Sequence, residues 1–288
     1  MSDRAEHAFL IADVFTRTPL QGNQLAVFTD ARGLSSEEMQ ALAREMNFAE
    51  SVFVLPPEGG GDARIRIFTP ASERPFAGHP VLGTAVVLGG LRGLAGVRLE
   101  TGLGLVPVAL EHEGDGVAFG RMEQPIPDPR PYERAPELLA ALGLERSRLP
   151  VEAYRNGPLH VYVELGSEEA VAALQPDLAA LASLPDVGAN CFAGSGRSWK
   201  TRMFAPALGV PEDAASGSAA GPLALHLTRH ERIAFGEEIE IRQGAEIGRP
   251  STLYARVTGS PERIERIEVG GAAVVVARGA FRLARPTG

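Results

Sequence analysis

Arg66-Ile67-Phe68-Thr69-Pro70-Ala71-Ser72-Glu73-Arg74-Pro75-Phe76-Ala77-Gly78-His79-Pro80 decides how this chain is read, because its outline occurs twice. Arg66-x-Phe68-x-Pro70-Ala71-x3-Pro75 returns 136 positions later as Arg202-x-Phe204-x-Pro206-Ala207-x3-Pro211. Each copy then passes through a glycine-containing loop into a small-residue, apolar segment of helical character. The loops are Phe76-Ala77-Gly78-His79-Pro80 and Ala214-Ala215-Ser216-Gly217-Ser218. A strand that feeds a tight turn and a helix start presents unpaired backbone N–H groups and the positive end of a helix dipole, a combination that binds anions. Two such ends facing each other suit a small carboxylate. Either copy alone is an ordinary strand-turn-helix joint; recurrence of the whole pattern favours a duplicated chain. Gly78 and Gly217 are 139 apart, so the second copy carries a small insertion.

Outward from these copies, residues 8–15 and 26–28 read as a hairpin around Gln21-Gly22-Asn23. Ser35-x-x-Glu38 is a capping box, and Met39, Leu42, Ala43 and Met46 follow at helical spacing, which predicts a helix over 36–46 stopped by Asn47. Residues 51–55 and 63–68 form a second predicted hairpin. Pro125, Pro127, Pro129 and Pro131 lack N–H donors and fix φ, so this stretch is the expected lobe boundary. Lobes of 1–127 and 128–288 follow, with a last strand at about 277–288 as a candidate to pack back onto the first lobe. Beyond the boundary, helices are expected over 135–142 and 167–174, and strands over 160–165, 202–204, 239–242, 252–257, 266–269 and 273–277. Short strands with few helices indicate an α+β fold.

The 288 residues carry 36 acidic and 28 basic side chains, a net charge of −8, without a basic run to neutralise phosphates. Nucleic acid is therefore not an expected partner. The first residues lack the basic-then-apolar pattern of a signal peptide and no apolar stretch is long enough to span a bilayer, so a cytoplasmic protein is expected, with no membrane partner. A single cysteine, Cys191, rules out an internal disulfide, a thiolate metal cage and two-thiol chemistry.

Glu50 is the sharpest candidate. Strand alternation in Phe48-Ala49-Glu50-Ser51-Val52-Phe53-Val54 puts it on one side with Phe48, Val52 and Val54, an apolar face where desolvation raises a carboxyl pKa and suits a group that accepts and returns a proton. The alternative is a strand-end glutamate turned to solvent. His79 would sit at a helix cap ahead of Pro80, and Asp213 occupies the corresponding loop of the second copy. Each reads either as a structural group, a cap or a loop carboxylate, or as a catalytic one. Ser218 either caps its helix or bonds substrate. His226 and His230, four apart, share a helix face, yet no third metal ligand is visible, and they read as surface residues. His160, inside a strand-like run, reads as a satisfied, partly buried histidine. Gly102-Leu103-Gly104 lacks the spacing and following helix of a dinucleotide fingerprint.

These motifs resemble the PhzF-type phenazine-biosynthesis isomerases over nearly the whole chain. Asp13-Val14-Phe15 with Gly22-Asn23, MNFAES ending at Ser51, RIFTPASERPFAGHPVLGTA from Arg66, NCFAGSGRSWKTRMFAP from Asn190, EDAASGSA from Glu212 and QGAEIGRPS from Gln243 carry the likeness. It implies two pseudo-symmetric α+β lobes of diaminopimelate-epimerase-like fold, with the active site in the cleft between them, in a homodimer. It also implies cofactor- and metal-independent isomerisation of trans-2,3-dihydro-3-hydroxyanthranilate to a ketone. Carried across by motif, Glu50 takes the proton from ring carbon C3 and returns it at C1. His79 and Asp213 resemble the groups that hold substrate and assist tautomerisation, with Asn23, Gly78, Gly217 and Ser218 at the substrate. Amino-acid epimerases of this fold use one cysteine from each glycine loop, and neither loop here has one, so a one-base isomerase is expected. Two positions depart from the family pattern: Ala49 stands where a serine commonly precedes the glutamate, and Ser216 where threonine is common. The Ala49 departure motivates an alternative, an isomerase of another small amino or hydroxy acid. A non-catalytic carboxylate binder is a third reading.

Overall fold

The computed structural model describes residues 4–114 and 116–284, and among these are eighteen strands and six α-helices. The first half runs β1 (Arg4–Val14), β2 (Asn23–Phe28), α1 (Ser36–Met46), β3 (Glu50–Leu55), β4 (Ala63–Phe68), β5 (Glu73–Arg74), α2 (Gly78–Arg92), β6 (Gly96–Thr101), β7 (Gly104–Glu113) and β8 (Gly116–Gln124). The second runs β9 (Arg130–Pro131), α3 (Ala135–Ala141), β10 (Glu152–Arg155), β11 (Leu159–Glu164), α4 (Glu168–Ala172), α5 (Leu178–Ala182), β12 (Val187–Ser195), β13 (Ser198–Ala205), β14 (Val210–Asp213), α6 (Gly217–Arg229), β15 (Glu238–Gln243), β16 (Ser251–Ser260), β17 (Arg263–Gly271) and β18 (Ala273–Ala284).

The duplication glimpsed in one motif extends through the whole topology. β1–β2 is antiparallel, β2–β3 parallel, β3–β4 and β4–β5 antiparallel, and β4–β6 parallel with α2 as the crossover. The second half repeats this order as β10–β11, β11–β12, β12–β13, β13–β14 and β13–β15, with α6 as the crossover. Antiparallel β6–β7–β8 matches β15–β16–β17. The halves are joined where β8 pairs with β17 and where β18 returns to pair with β1, while β9 closes onto β10. Residues 285–288 of the expected terminal strand lie outside the described residues.

Each lobe wraps its strands around one helix. Residues 78–89 of α2 and 217–228 of α6 are all buried, so neither helix needs a polar face. That is why both segments read as uniformly small and apolar rather than amphipathic. α1 lies on the outside with its capping box formed as expected, and Asn47 ends it in the left-handed region at φ 52°. Beneath α1 an aromatic cluster packs Phe28 against Phe53, with ring centroids 4.6 Å apart, and Phe53 edge-on to Phe68.

Three expectations about local structure need correcting. The sequence match of Pro75 to Pro211 is not structural: Arg66 grips Glu73 and Arg202 grips Glu212, each guanidinium also lying over the phenylalanine two residues on. Equivalent residues are thus already 139 apart at the glutamate, and the extra residues form the short turn Pro206–Leu208. Second, the proline stretch is not wholly irregular, because Arg130 and Pro131 pair with the edge of β10. Third, Phe48 does not share a face with Glu50. It precedes β3 and packs into the Phe28–Phe53 cluster, while Val52 and Val54 enter the main core on the other side.

Candidate active site

The two central helices start against each other. A Cβ on Gly78 would overlap Ser218 N and the carbonyl carbon of Gly217, and one on Gly217 would lie 2.9 Å from His79 N and 3.0 Å from the Phe15 ring. Only glycine lets the ends come this close. Two positive helix ends therefore converge on one place, a cavity lined by Glu50, His79, Asp213, Ser218 and both glycines. All seven residues singled out from the sequence gather here: Asn23 joins them by donating from Nδ2 to Asp213 Oδ1 at 2.7 Å and to Ala215 O at 3.0 Å.

Glu50 begins β3, with its side chain 18% exposed. Burial pushes its carboxyl up to about 8, the nearby Asp213 charge adds to the rise, and Arg74 opposes it. His79 Nδ1 lies 3.5 Å from Glu50 Oε2. Asn23 Nδ2 is 3.4 Å from the same ring nitrogen, but its two hydrogens already serve Asp213 and Ala215, so the ring remains turned to Glu50. Burial pushes His79 down to about 4, against the Asp213 charge, and its Nε2 has no hydrogen-bond partner among the described residues. The ring is neutral near pH 7. His79 is not the cap expected: α2 starts at Gly78 behind Ala77, which offers no side-chain bond, and His79 lies inside the first turn.

Asp213, at the end of β14, is tied down. Asn23 donates to one oxygen, and the Ser216 hydroxyl donates to the other at 2.6 Å. Gln243 donates to Asp213 O at 2.8 Å and to Ser216 Oγ at 2.9 Å, and its own Oε1 accepts from Ser216 N and Thr201 Oγ1. The hydroxyl kept at position 216 is thus a working part of the loop. Ser216 precedes α6 without capping it, and Ser218 does not cap either: its Oγ lies 3.0 Å from His160 Nε2. Pro222 has no N–H for the Ser218 carbonyl, which instead accepts from Asn156 Nδ2 at 3.0 Å. Gln124 and Tyr162 take the Gly217 and Ala219 carbonyls.

The candidate set lacked Arg74, which lines the cavity, and Gln243 and His160, which bond to Ser216 and Ser218 in its wall. Arg74 lines the cavity from β5, and no acidic partner lies within ion-pair distance among the described residues. Gln243 stands within a stretch noted for its resemblance, but nothing in that stretch tied it to the glycine loop. His226 and His230 are not surface residues: His226 is fully buried, and Glu152 supplies the third group that the sequence hid. Glu152 Oε2 accepts from Tyr154 at 2.8 Å, Arg229 at 2.9 Å, and His226 and His230 at 3.1 Å each. A guanidinium already occupies the approach to that oxygen, so the cluster fits an ion-pair clasp on the end of α6 rather than a metal. A larger groove of about 680 Å³ lies on the far side of Gln243, but its cations are paired, Arg121 with Glu238 and Lys200 with Glu246. Convergent helix ends and shifted groups, not volume, mark the site.

The phenazine biosynthesis-like protein model, PhzC-PhzF, matches residues 12–279. The chain belongs to this family. It is 56% identical over 273 residues to trans-2,3-dihydro-3-hydroxyanthranilate isomerase of Pseudomonas aeruginosa, covering 95% of this chain and 98% of the relative. The Pseudomonas fluorescens enzyme of the same name is 52% identical over 277 residues, covering 96% and 100%. The crystal structure of the Bacillus anthracis phenazine biosynthesis protein, PhzF family, superposes with a TM-score of 0.84 at 26% identity, covering 96% of this chain and 99% of that one. A hydroxyproline epimerase from Agrobacterium vitis shares the fold, at TM-score 0.69 and 12% identity over 99% and 95% of the chains. No helix among the described residues is long and apolar enough to cross a membrane.

Proposed function

We propose that this PhzC-PhzF family isomerase converts trans-2,3-dihydro-3-hydroxyanthranilate to its ketone isomer, in phenazine biosynthesis, by moving one proton through Glu50. The observation that carries the reading is a carboxyl pushed up to about 8 beside the meeting point of two helix starts. Such a group holds a proton near neutral pH and gives it up to a modest driving force. The substrate carboxylate fits the helix ends, where the N–H groups and the Ser218 hydroxyl converge, and this placement also disperses charge that develops in the conjugated ring. Glu50 removes the proton from C3 and delivers it to C1 on the same face. The resulting enol then becomes the ketone, with neutral His79 and the anchored Asp213 beside the ring.

Identity of 56% to a relative carrying this activity favours this substrate over another small acid, and the poised Glu50 favours catalysis over mere binding. The Ser216 hydroxyl retains its network, and Ala49 is not among the residues that line the cavity.

The cavity holds only about 50 Å³. Ligand sites are ordinarily about 300–1,000 Å³, so the lobes must part to admit a substituted ring and then close over it, which keeps water from the enol. The homodimer remains part of this proposal. Incubating the purified protein with trans-2,3-dihydro-3-hydroxyanthranilate should consume the diene absorbance and yield tricyclic products. Unchanged substrate after prolonged incubation at micromolar enzyme would overturn the assignment.

A further inference from the structure

His160 is a fully buried histidine on β11 that the proton transfer itself does not use. Its neighbours fix which nitrogen carries its hydrogen. Asn190 lies 2.8 Å from Gly188 O, which only accepts, so the Asn190 amide must present its NH2 there. The second hydrogen of that NH2 points to His160 Nδ1, at 3.4 Å. Nδ1 is therefore the bare nitrogen, and Nε2 bears the hydrogen that it donates to Ser218 Oγ at 3.0 Å. Burial pushes His160 down to about 3, which keeps the ring neutral with one hydrogen to place. Ser218 Oγ already accepts from His160 and lines the cavity in the first turn of α6, and no acceptor among the described residues takes its own hydrogen.

We propose that His160 is a positioning residue that polarises Ser218 into a one-way hydrogen-bond donor, aimed at an anionic acceptor in the cleft. The chain Gly188 carbonyl, Asn190 amide, His160 ring and Ser218 hydroxyl runs in a single direction, and each link forces the next. A serine held this way favours an acceptor, most strongly a ligand carboxylate, and disfavours a group that presents only donors, such as an ammonium. Gly188 is part of the device, since a Cβ there would lie 3.2 Å from His160 Nδ1.

The inference rests on the isomerase reading for its kinetic arm alone. Its first test needs no substrate: 15N NMR of the wild-type histidines should give His160 a protonated Nε2 and a bare Nδ1, neutral from pH 5 to 8. The opposite tautomer overturns the relay. The second test is a double-mutant cycle of His160→Phe with Ser218→Ala on the isomerisation of trans-2,3-dihydro-3-hydroxyanthranilate. His160→Phe alone should lower kcat/KM by about 5–20-fold, mostly through KM, as expected for weakening but not removing one hydrogen bond to a charged group, whose full loss would cost about 10–150-fold. In the Ser218→Ala background the further loss should be within about 2-fold. Equal losses in both backgrounds overturn the proposal in favour of a packing role. Should His160→Phe not fold, Asn190→Asp serves instead: its carboxylate takes a hydrogen on Nδ1, reverses the tautomer and draws the Ser218 hydrogen back to Nε2. A reversed tautomer with unchanged kcat/KM would equally overturn it. If the protein leaves this substrate untouched while the wild-type tautomer is as stated, the activity assignment fails and the relay stands.

Discussion

The two helix starts that meet at Gly78 and Gly217 come from one repeated topology, yet they treat polar groups in opposite ways. On the β3–α2 side, Glu50 and His79 sit among apolar residues with few partners, and burial is the main cause of both their pKa shifts. On the β14–α6 side, Asp213, Ser216 and Gln243 satisfy one another in a closed network, and side chains take up the carbonyls of the first helical turn. The groups to which the proposed mechanism gives a change of protonation are poorly solvated, and those to which it gives a holding part are bonded from several directions. On the proposed mechanism, one side of the duplicate moves the proton and the other holds.

The strongest way to break this comparison is Glu50→Gln, which keeps shape and removes the base. Turnover should fall by about 10²–10⁴-fold, with ligand binding retained. Stability should move the other way. A carboxyl raised in the fold favours its neutral form, so Glu50 contributes stability below its ordinary 4.5 that is lost as pH rises through about 8. The glutamine variant should therefore match wild type in Tm at pH 4 and exceed it by a few degrees at pH 9, checked by calorimetry. Next in size is Gly78→Ala. Its methyl must push the two helix starts apart, and misalignment on the ångström scale costs about 10²-fold in kcat/KM, with destabilisation of about 1–3 kcal/mol.

Ser216→Ala probes the holding side. It removes the donor to Asp213 and the acceptor of Gln243, and should cost about 10-fold in kcat/KM while leaving the pH midpoint of activity near its original value. The smallest effects sharpen the comparison by sign. kcat/KM should rise with pH through a midpoint near 8. Arg74→Gln should shift that midpoint up, because Arg74 lowers the Glu50 pKa, and Asp213→Asn should shift it down. Midpoints that move together, or not at all, would show that Glu50 does not set the profile.

Much of this was legible in the sequence, for identifiable reasons. The capping box at Ser35, the hairpins around β1–β2 and β3–β4, and the paired glycine loops all rest on short-range rules that burial does not override. Placing Glu50, His79, Asp213 and Asn23 together followed from the duplication and the family likeness. What stayed hidden depends on partners distant in the chain. His226 reads as exposed until β10 brings Glu152 against it, 74 residues away. Gln243 and His160 reach the second loop only because β15 and β11 flank α6. The position of the insertion was hidden because Pro75 and Pro211 coincide in spacing, whereas the guanidinium grips on Glu73 and Glu212 define the true register.

The most direct test is an infrared titration of the Glu50 carboxyl, taken as the difference between wild type and Glu50→Gln across pH 4 to 10. The protonated carboxyl band should persist past neutrality and vanish with a midpoint near 8. Loss of that band near pH 4.5 would mean an ordinarily solvated glutamate, and would contradict the division between a dry, proton-moving start and a bonded, holding one.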